Sequence, residues 1–249
     1  MKPLPHLLIA VIFAAPLTSN ASTMILNPSQ DNTIYSGSFY ENNSNGQGYL
    51  FAGRIASGDR RRSLLAFDLG GIPGGATVMS VQLILSVNKA TGTVSDFSLY
   101  RLLQNWGEGA SDAGEPGGQG VPAQAGDATW NAAFFPGTLW STPGGNFLPS
   151  ISATTSVGFE GSYTWTSGQM VANVQGWLAQ PSTNFGWLLK DAETVTSAKR
   201  FDSGEAIASN RPRLVITYEA VPEPSVVALL TIAAFLAPMG RRRSRSKSG

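Results

Sequence analysis

Short runs of β-prone residues, broken by Gly, Pro, Asn and Ser, fill residues 22–220 of this chain. The clearest run is VMSVQLILSV (residues 78–87), where Val81, Leu83, Leu85 and Val87 alternate with other residues and so place one apolar face inward. The same reading predicts nine strands, over residues 33–36, 49–52, 63–68, 78–87, 97–103, 162–166, 186–190, 198–201 and 213–219. Strands of this number and length predict an all-β fold, an antiparallel β-sandwich of two packed sheets.

One segment has a helical period instead. In SGQMVANVQGWLAQP (residues 167–181) the apolar residues recur every three or four positions, at Met170, Val171, Val174, Trp177 and Leu178. Ser167 stands at the N-cap position, and Pro181 follows the last apolar residue. We predict one amphipathic helix laid across one end of the sandwich.

The first 21 residues differ from the rest of the chain. MKPLPHLLIAVIFAAPLTSNAS begins with Lys2, continues with an apolar run over residues 7–15, and has small residues before Ser22. This is the layout of a signal peptide that is cleaved between Ala21 and Ser22. We therefore predict an exported protein whose single domain spans residues 22–220.

Charge is divided unevenly between this domain and the C-terminal end. The whole chain has a formal net charge of +1, but residues 22–220 contain eleven Lys and Arg against fifteen Asp and Glu, a net charge of −4. An acidic domain disfavours a nucleic-acid partner, which would bind a basic face. The run Arg60, Arg61 and Arg62 is the local exception, and its place beside a strand indicates a solvated sheet edge.

The chain lacks cysteine, and its one histidine is His6, within the predicted signal peptide. The mature domain therefore has no residues for Ser-His, Cys-His or His-ligated zinc chemistry, which excludes most hydrolase mechanisms. A domain of about 200 residues buries a sufficient core without disulfides.

A long region rich in Gly and Pro spans residues 105–151. Loops of this length are either functional or contain structure of their own, so this region is the first place to look for a recognition surface. An exposed indole beside polar groups is a common platform for sugar rings. The candidate carbohydrate-binding residues are Trp106, Glu108, Trp130 and Trp140, whereas Trp165, Trp177 and Trp187 fit the core.

Carboxylates are present, but their spacing encodes no convergent catalytic pair. The carboxylates considered as candidates are Glu108, Asp112, Glu115, Asp127, Asp202 and Glu205. The chain has no EF-hand, P-loop or dinucleotide-binding motif. No cofactor is predicted, and a structural Ca²⁺ held by loop carboxylates and carbonyls stays an open alternative.

The order of the motifs along the domain resembles the DNRLRE domain, a disaggregatase-related family grouped with carbohydrate-binding modules. The landmarks are RRSLLAFDL (61–69), IPGGATVMSVQLIL (72–85), LYRLLQNWGEG (99–109), DATWN (127–131), VANVQGWLAQPSTNFGWLLK (171–190), RFDSGEA (200–206) and RPRLVITYE (211–219). This resemblance implies a jelly-roll-like module of exported proteins and carries over no catalytic residue. Gly204 stands where the family usually has a larger, often basic residue, and residues 114–125 look like an insertion.

The C-terminal end, VPEPSVVALLTIAAFLAPMGRRRSRSKSG, has three parts. Pro222 and Pro224 make a stiff spacer, the apolar residues 226–239 follow, and Arg241, Arg242 and Arg243 open a basic tail. Fourteen helical residues cover about 21 Å, less than the ~30 Å of a bilayer core. The apolar run predicts a transmembrane helix that is shorter than usual. The basic residues that follow it predict that this end of the helix lies in the cytoplasm.

This arrangement resembles the PEP-CTERM sorting signal, with Val221, Pro222, Glu223 and Pro224 as its motif. The resemblance implies an exosortase partner that cleaves near the motif. The precursor would be held transiently in the inner membrane, and the mature protein would reach the cell surface or the extracellular space.

Three functional hypotheses follow. The first is a non-enzymatic exported module that binds or organises polysaccharide. The second is a polysaccharide-degrading glycosidase or lyase, and the third is a structural matrix protein without a specific ligand. The missing carboxylate pair and the absence of histidine from residues 22–220 favour the first over the second.

Overall fold

The computed structural model describes residues 21–221, which form fifteen strands and one α-helix. The strands are β1 (Ala21–Leu26), β2 (Gln30–Tyr35), β3 (Asn43–Ser44), β4 (Leu50–Arg54), β5 (Arg60–Ala66), β6 (Thr77–Ala90), β7 (Ser95–Leu102), β8 (Val121–Pro122), β9 (Ala132–Phe134), β10 (Thr138–Leu139), β11 (Phe147–Val157), β12 (Gly161–Thr166), β13 (Trp187–Lys190), β14 (Lys199–Phe201) and β15 (Arg213–Glu219). The helix α1 spans Gly168–Ala179, and a short 3-10 turn, Pro181–Thr183, follows it.

Eleven of the strands form one curled sheet in which all neighbours are antiparallel. One half contains β1, β15, β6, β12 and β14, and the other contains β2, β5, β13, β7 and β11. Strand β4 pairs with both β14 and β5 and so joins the halves. The fold is all-β and sandwich-like, which confirms the predicted class.

Side chains from both halves form one main core. Leu83 and Leu85 of β6 belong to the same buried cluster as Leu99 of β7 and Trp187 of β13. The alternation predicted for residues 78–87 is confirmed, since Val81, Leu83, Leu85 and Val87 are all buried.

Helix α1 closes this core and confirms the predicted helix. The Ser167 hydroxyl accepts a hydrogen bond from the Met170 N–H at 3.0 Å, which satisfies one of the free donors of the first turn. The buried face carries Met170, Val174 and Trp177, and the Trp177 ring lies edge-on to Trp187 at 4.6 Å between centroids.

The sheet formed by β5 and β13 is buried on both faces. Leu65 and Leu189 enter the main core, whereas their neighbours Leu64 and Leu188 enter a second cluster under the Gly- and Pro-rich region. Successive side chains of a strand point to opposite faces, so covering both faces explains the continuous apolar run at these residues.

Two long strands were not predicted. Strand β1 lies at the sheet edge and pairs with β15, with Ala21 opposite Glu219. Strand β11 (FLPSISATTSV) pairs with β7 and is largely exposed in its first half. Serine, threonine and a proline on an edge strand leave little apolar alternation, so no strand was predicted here and the first part of β11 was included in the loop region 105–151.

The described residues form one compact unit as far as Ala220. It contains both buried clusters, as expected of a domain that folds on its own. Within residues 21–221, no helix is long and apolar enough to cross a membrane. The predicted transmembrane helix and most of the predicted signal peptide lie outside the described residues.

Candidate functional site

The structure buries the three tryptophans proposed as a sugar platform. Trp106, Trp130 and Trp140 are 1%, 9% and 5% exposed and belong to the second cluster. The indole N–H of Trp106 donates to the Phe185 carbonyl at 2.9 Å, and that of Trp140 donates to the Thr129 carbonyl at 2.8 Å. These indoles fasten the long region to the sheet and present no open face on which a sugar could stack.

Glu108 also makes contacts that stabilise the fold. Its Oε1 accepts the backbone N–H of Asp31 at 2.9 Å, and its pKa is raised because the carboxylate is half buried. The close approach of Gly46 adds to the burial, since a Cβ there would lie 2.0 Å from the Glu108 carbonyl oxygen. The four candidate carbohydrate-binding residues therefore do not line a common open surface.

The prediction of a solvated edge at the arginine run is wrong for two of its three residues. Arg60 is exposed, but Arg61 and Arg62 are buried. Arg62 makes a bidentate pair with Glu193, at 2.7 and 2.8 Å, and its guanidinium lies over the Trp130 ring. Partners far along the chain, which a local charge pattern does not reveal, desolvate these side chains.

An open cleft of about 500 Å³ lies on the sheet, and we name it the Arg200 cleft. Its walls come from Phe51 of β4, from Lys89 at the end of β6, from Lys199 and Arg200 of β14, and from residues 113 and 116–120 of the glycine-rich loop. Strands β6, β14 and β4 are adjacent in the sheet, which places these residues side by side.

The loop wall of the cleft is mostly backbone, because it contains four glycines between residues 114 and 120. A Cβ at Gly117 would lie 3.4 Å from the Phe51 ring, so the loop packs closely on the floor of the cleft. The Tyr35 hydroxyl donates to the Gly117 carbonyl at 3.2 Å, and Arg61 Nε donates to the Gly118 carbonyl at 2.9 Å. The predicted insertion is thus tied to β2 and β5.

Arg200 is held on three sides. Its guanidinium lies 4.0 Å from the centre of the Tyr49 ring, its Nε donates to Asn88 Oδ1 at 2.6 Å, and its Nη1 contacts Glu115 Oε2 at 2.5 Å. Asn88 is itself oriented by donating to Asp202 at 2.5 Å. A guanidinium fixed in this way is preorganised for a planar anionic or hydroxyl-rich ligand.

The Arg200 cleft is basic although the domain is acidic. Lys89, Lys199 and Arg200 line it, and none of its described lining residues is Asp or Glu. Lys199 is buried, and its ammonium donates to the carbonyls of Thr91, Thr93 and Ser197 at 2.8–2.9 Å. Burial lowers the pKa of Lys199, and its donors are occupied by carbonyls, so the cations that face the cleft are Lys89 and Arg200, and Arg200 is paired with the exposed Glu115.

A smaller cavity of about 200 Å³ is lined by Tyr49 and has the opposite charge, with Asp112 and Glu205 in its lining. Nearby, Asp31 is fully buried, and one of its carboxylate oxygens has no hydrogen-bond partner. Burial and the neighbouring Glu205 raise the pKa of Asp31 well above its ordinary value. Among residues 21–221, no three acidic side chains are grouped so that they could hold a metal ion.

The remaining carboxylates stabilise turns and strand ends. Asp127 is buried and accepts the backbone N–H groups of Ala110 at 2.9 Å and Gln124 at 2.6 Å, together with the Ser111 hydroxyl. Asp112 accepts the Gly114 N–H at 2.8 Å. These contacts fix the loops around the two cavities.

The predicted processing sites lie at the ends of the described chain. Ala21 and Ser22 are the first residues of β1, and Val221 is exposed two residues after β15 ends. Pro222, Glu223 and Pro224 of the sorting motif and Arg241, Arg242 and Arg243 of the basic tail lie outside the described residues.

Sequence reasoning missed the Arg200 cleft, because its members are scattered from β4 to β14. Two signals pointed to it: the glycine-rich insertion at residues 114–125 and the motif RFDSGEA that begins at Arg200.

No model of a known protein family and no curated protein matches this chain. The resemblances to the DNRLRE domain and to the PEP-CTERM signal stay predictions from the quoted motifs.

Proposed function

We propose that this protein is an exported β-sandwich module that binds polysaccharide through the Arg200 cleft and does not cleave it. The observation that carries this proposal is the open, glycine-walled cleft beside the stacked pair of Tyr49 and Arg200. Aromatic faces and charged donors together suit the C–H faces and hydroxyls of sugars. A backbone wall lets a bulky polymer approach closely, since few side chains project from it.

The finer fold is part of the same proposal. A jelly-roll-like arrangement related to the DNRLRE domain is supported by the order of the motifs and by the sandwich-like sheet. A polysaccharide ligand is consistent with the grouping of that family among carbohydrate-binding modules.

Export and sorting complete the proposal. We infer that a signal peptide is removed after Ala21 and that an exosortase cuts near Glu223, which releases the domain from the inner membrane. The pairing of β1 with β15 is compatible with both cuts, because a cut after Ala21 removes only the first residue of β1 and leaves Ser22–Leu26 paired with β15, which ends at Glu219, before the second cut.

Processing is tested by mass spectrometry of the secreted protein. We expect no peptide from Val226 onward, and we expect unprocessed precursor in the membrane after Arg241, Arg242 and Arg243 are changed to Ser. An intact C-terminus in the mature pool, or unchanged processing of the variant, would contradict the sorting proposal.

Binding is tested by affinity electrophoresis of residues 22–220 in gels that contain neutral or acidic polysaccharides. The wild-type domain should be retarded by at least one polymer, and Arg200→Gln should lose this retardation. Arg213→Gln, which removes an exposed arginine of β15, is the matched control. No retardation on any polymer would refute binding, and release of reducing ends or unsaturated sugars would refute the non-enzymatic assignment.

A further inference from the structure

The Glu115 carboxylate lies against Arg200 in a position that suits an anion, and we name this position the Arg200 seat. Arg200 Nη1 contacts it at 2.5 Å, and interaction with this carboxylate raises the pKa of Tyr49, whose ring stacks on Arg200. The hydrogen bond from Arg200 is the main cause that lowers the pKa of Glu115, and the charge of Lys89 lowers it further. Arg200 thus contacts the carboxylate directly, while Tyr49 and Lys89 lie close enough to lower its pKa.

The two partners of this ion pair differ in how firmly they are held. The Arg200 side chain is 12% exposed and fixed by Asn88 and Tyr49, whereas the Glu115 side chain is 61% exposed. Glu115 also projects from the glycine-rich loop, beside Gly114 and Pro116. Exposed ion pairs contribute little free energy, so Glu115 can leave the seat at low cost while Arg200 stays in place.

The seat opens onto the Arg200 cleft. Arg200 and Lys89 line the cleft, and Pro116, the next residue after Glu115, lies in its wall. A carboxylate on a polymer lying in the cleft can therefore reach the same cations.

We propose that Glu115 is an internal stand-in for a carboxylate of an acidic polysaccharide, which displaces it from Arg200 when the polymer binds. This inference rests on the proposed function and names the ligand class, a polymer of uronic acid residues. Tyr49, Lys89 and Arg200 form the recognition seat, and Glu115 sets the affinity by competing for it. Because one carboxylate replaces another, the partly exposed guanidinium keeps an anionic partner throughout.

The stand-in role predicts opposite effects for the two members of the pair. Glu115→Gln keeps the shape of the side chain but removes the competing charge, so affinity for the polyuronate should rise about two- to five-fold, the range of an exposed ion pair. Arg200→Gln removes the charged donor, and affinity should fall about ten-fold or more.

The experiment measures binding of residues 22–220 to polygalacturonate, to dextran sulfate and to neutral dextran by isothermal titration calorimetry. Any loss of negative charge strengthens binding to a polyanion, so Glu160→Gln, in the exposed turn between β11 and β12, is the matched control for Glu115→Gln. We expect Glu115→Gln to exceed this control on polygalacturonate.

Each outcome decides the inference. A gain on dextran sulfate equal to that on polygalacturonate would replace carboxylate recognition by general anion binding and overturn the ligand class. Weaker binding of Glu115→Gln would mean that Glu115 positions Arg200, and binding equal to that of Glu160→Gln would mean that only the net charge of the domain matters. Either result would overturn the stand-in role. Binding to neutral dextran that is unaffected by Arg200→Gln would overturn this inference but leave polysaccharide binding intact, whereas no binding to any polymer would overturn both.

Discussion

Asp31→Asn should stabilise the domain at neutral pH, because Asp31 is a buried charge without a counter-ion. The side chain is fully buried in β2, its Oδ2 accepts the Gly204 N–H at 2.7 Å, and its Oδ1 has no partner. Glu205 and Glu108 add repulsion. An asparagine keeps the bond to Gly204 through its own oxygen and replaces the orphan oxygen with a donor.

The expected gain follows from proton linkage. The pKa of Asp31 in the folded state is raised well above its ordinary value, mainly by burial, so the unfolded state holds the ionised carboxylate at lower free energy. Burying an unsatisfied polar atom costs about 1–3 kcal/mol and burying an unpaired charge costs more, so we expect Asp31→Asn to raise the free energy of unfolding at pH 7 by about 1 kcal/mol or more. As pH falls toward the unfolded-state pKa of about 3.9, the folded wild type takes up the proton and the advantage of the variant shrinks.

Urea unfolding followed by tryptophan fluorescence at pH 7, 6 and 5 measures this difference. Glu160→Gln removes the same charge from an exposed turn and should change stability little at any of these pH values. A variant less stable than wild type at pH 7, or an advantage that does not shrink on acidification, would refute the reasoning.

Two further substitutions test the packing around the cleft and the sheet. Gly109→Ala should cost about 3 kcal/mol or more in urea unfolding, because Gly109 has φ 74° and an added Cβ would lie 1.4 Å from Asp127 Oδ1. Gly137→Ala, with nothing within 4 Å of the added Cβ, is the control and should cost less than about 1 kcal/mol; equal costs would contradict the steric argument. Glu193→Gln should cost about 2 kcal/mol in thermal unfolding, since it leaves the buried Arg62 guanidinium without its carboxylate. An unchanged melting temperature would show that this pair is not stabilising.

The features predictable from the sequence are those that local chemistry determines. The alternation in β6 and the N-cap of α1 depend on residues within one turn or one strand of each other, and both are present. The all-β class follows from the same local signals repeated along the domain.

The features that could not be predicted depend on distant partners. Arg62 is buried by Glu193, 131 residues further along the chain, so three adjacent arginines with the same local pattern have different environments. The loop tryptophans face inward because carbonyls at Thr129 and Phe185 accept their N–H groups. The Arg200 seat likewise joins Glu115 to a residue 85 positions away.

An NMR titration of the ¹⁵N-labelled domain with a uronic acid oligosaccharide tests the central claim most directly, because it reports where a ligand binds. We predict that the amide signals of Phe51, Gly117 and Arg200 shift, while the indole signals of Trp106 and Trp140 stay in place. Shifts of those indole signals without any change around Arg200, or no shifts at all, would contradict the assignment of the Arg200 cleft as the polysaccharide site.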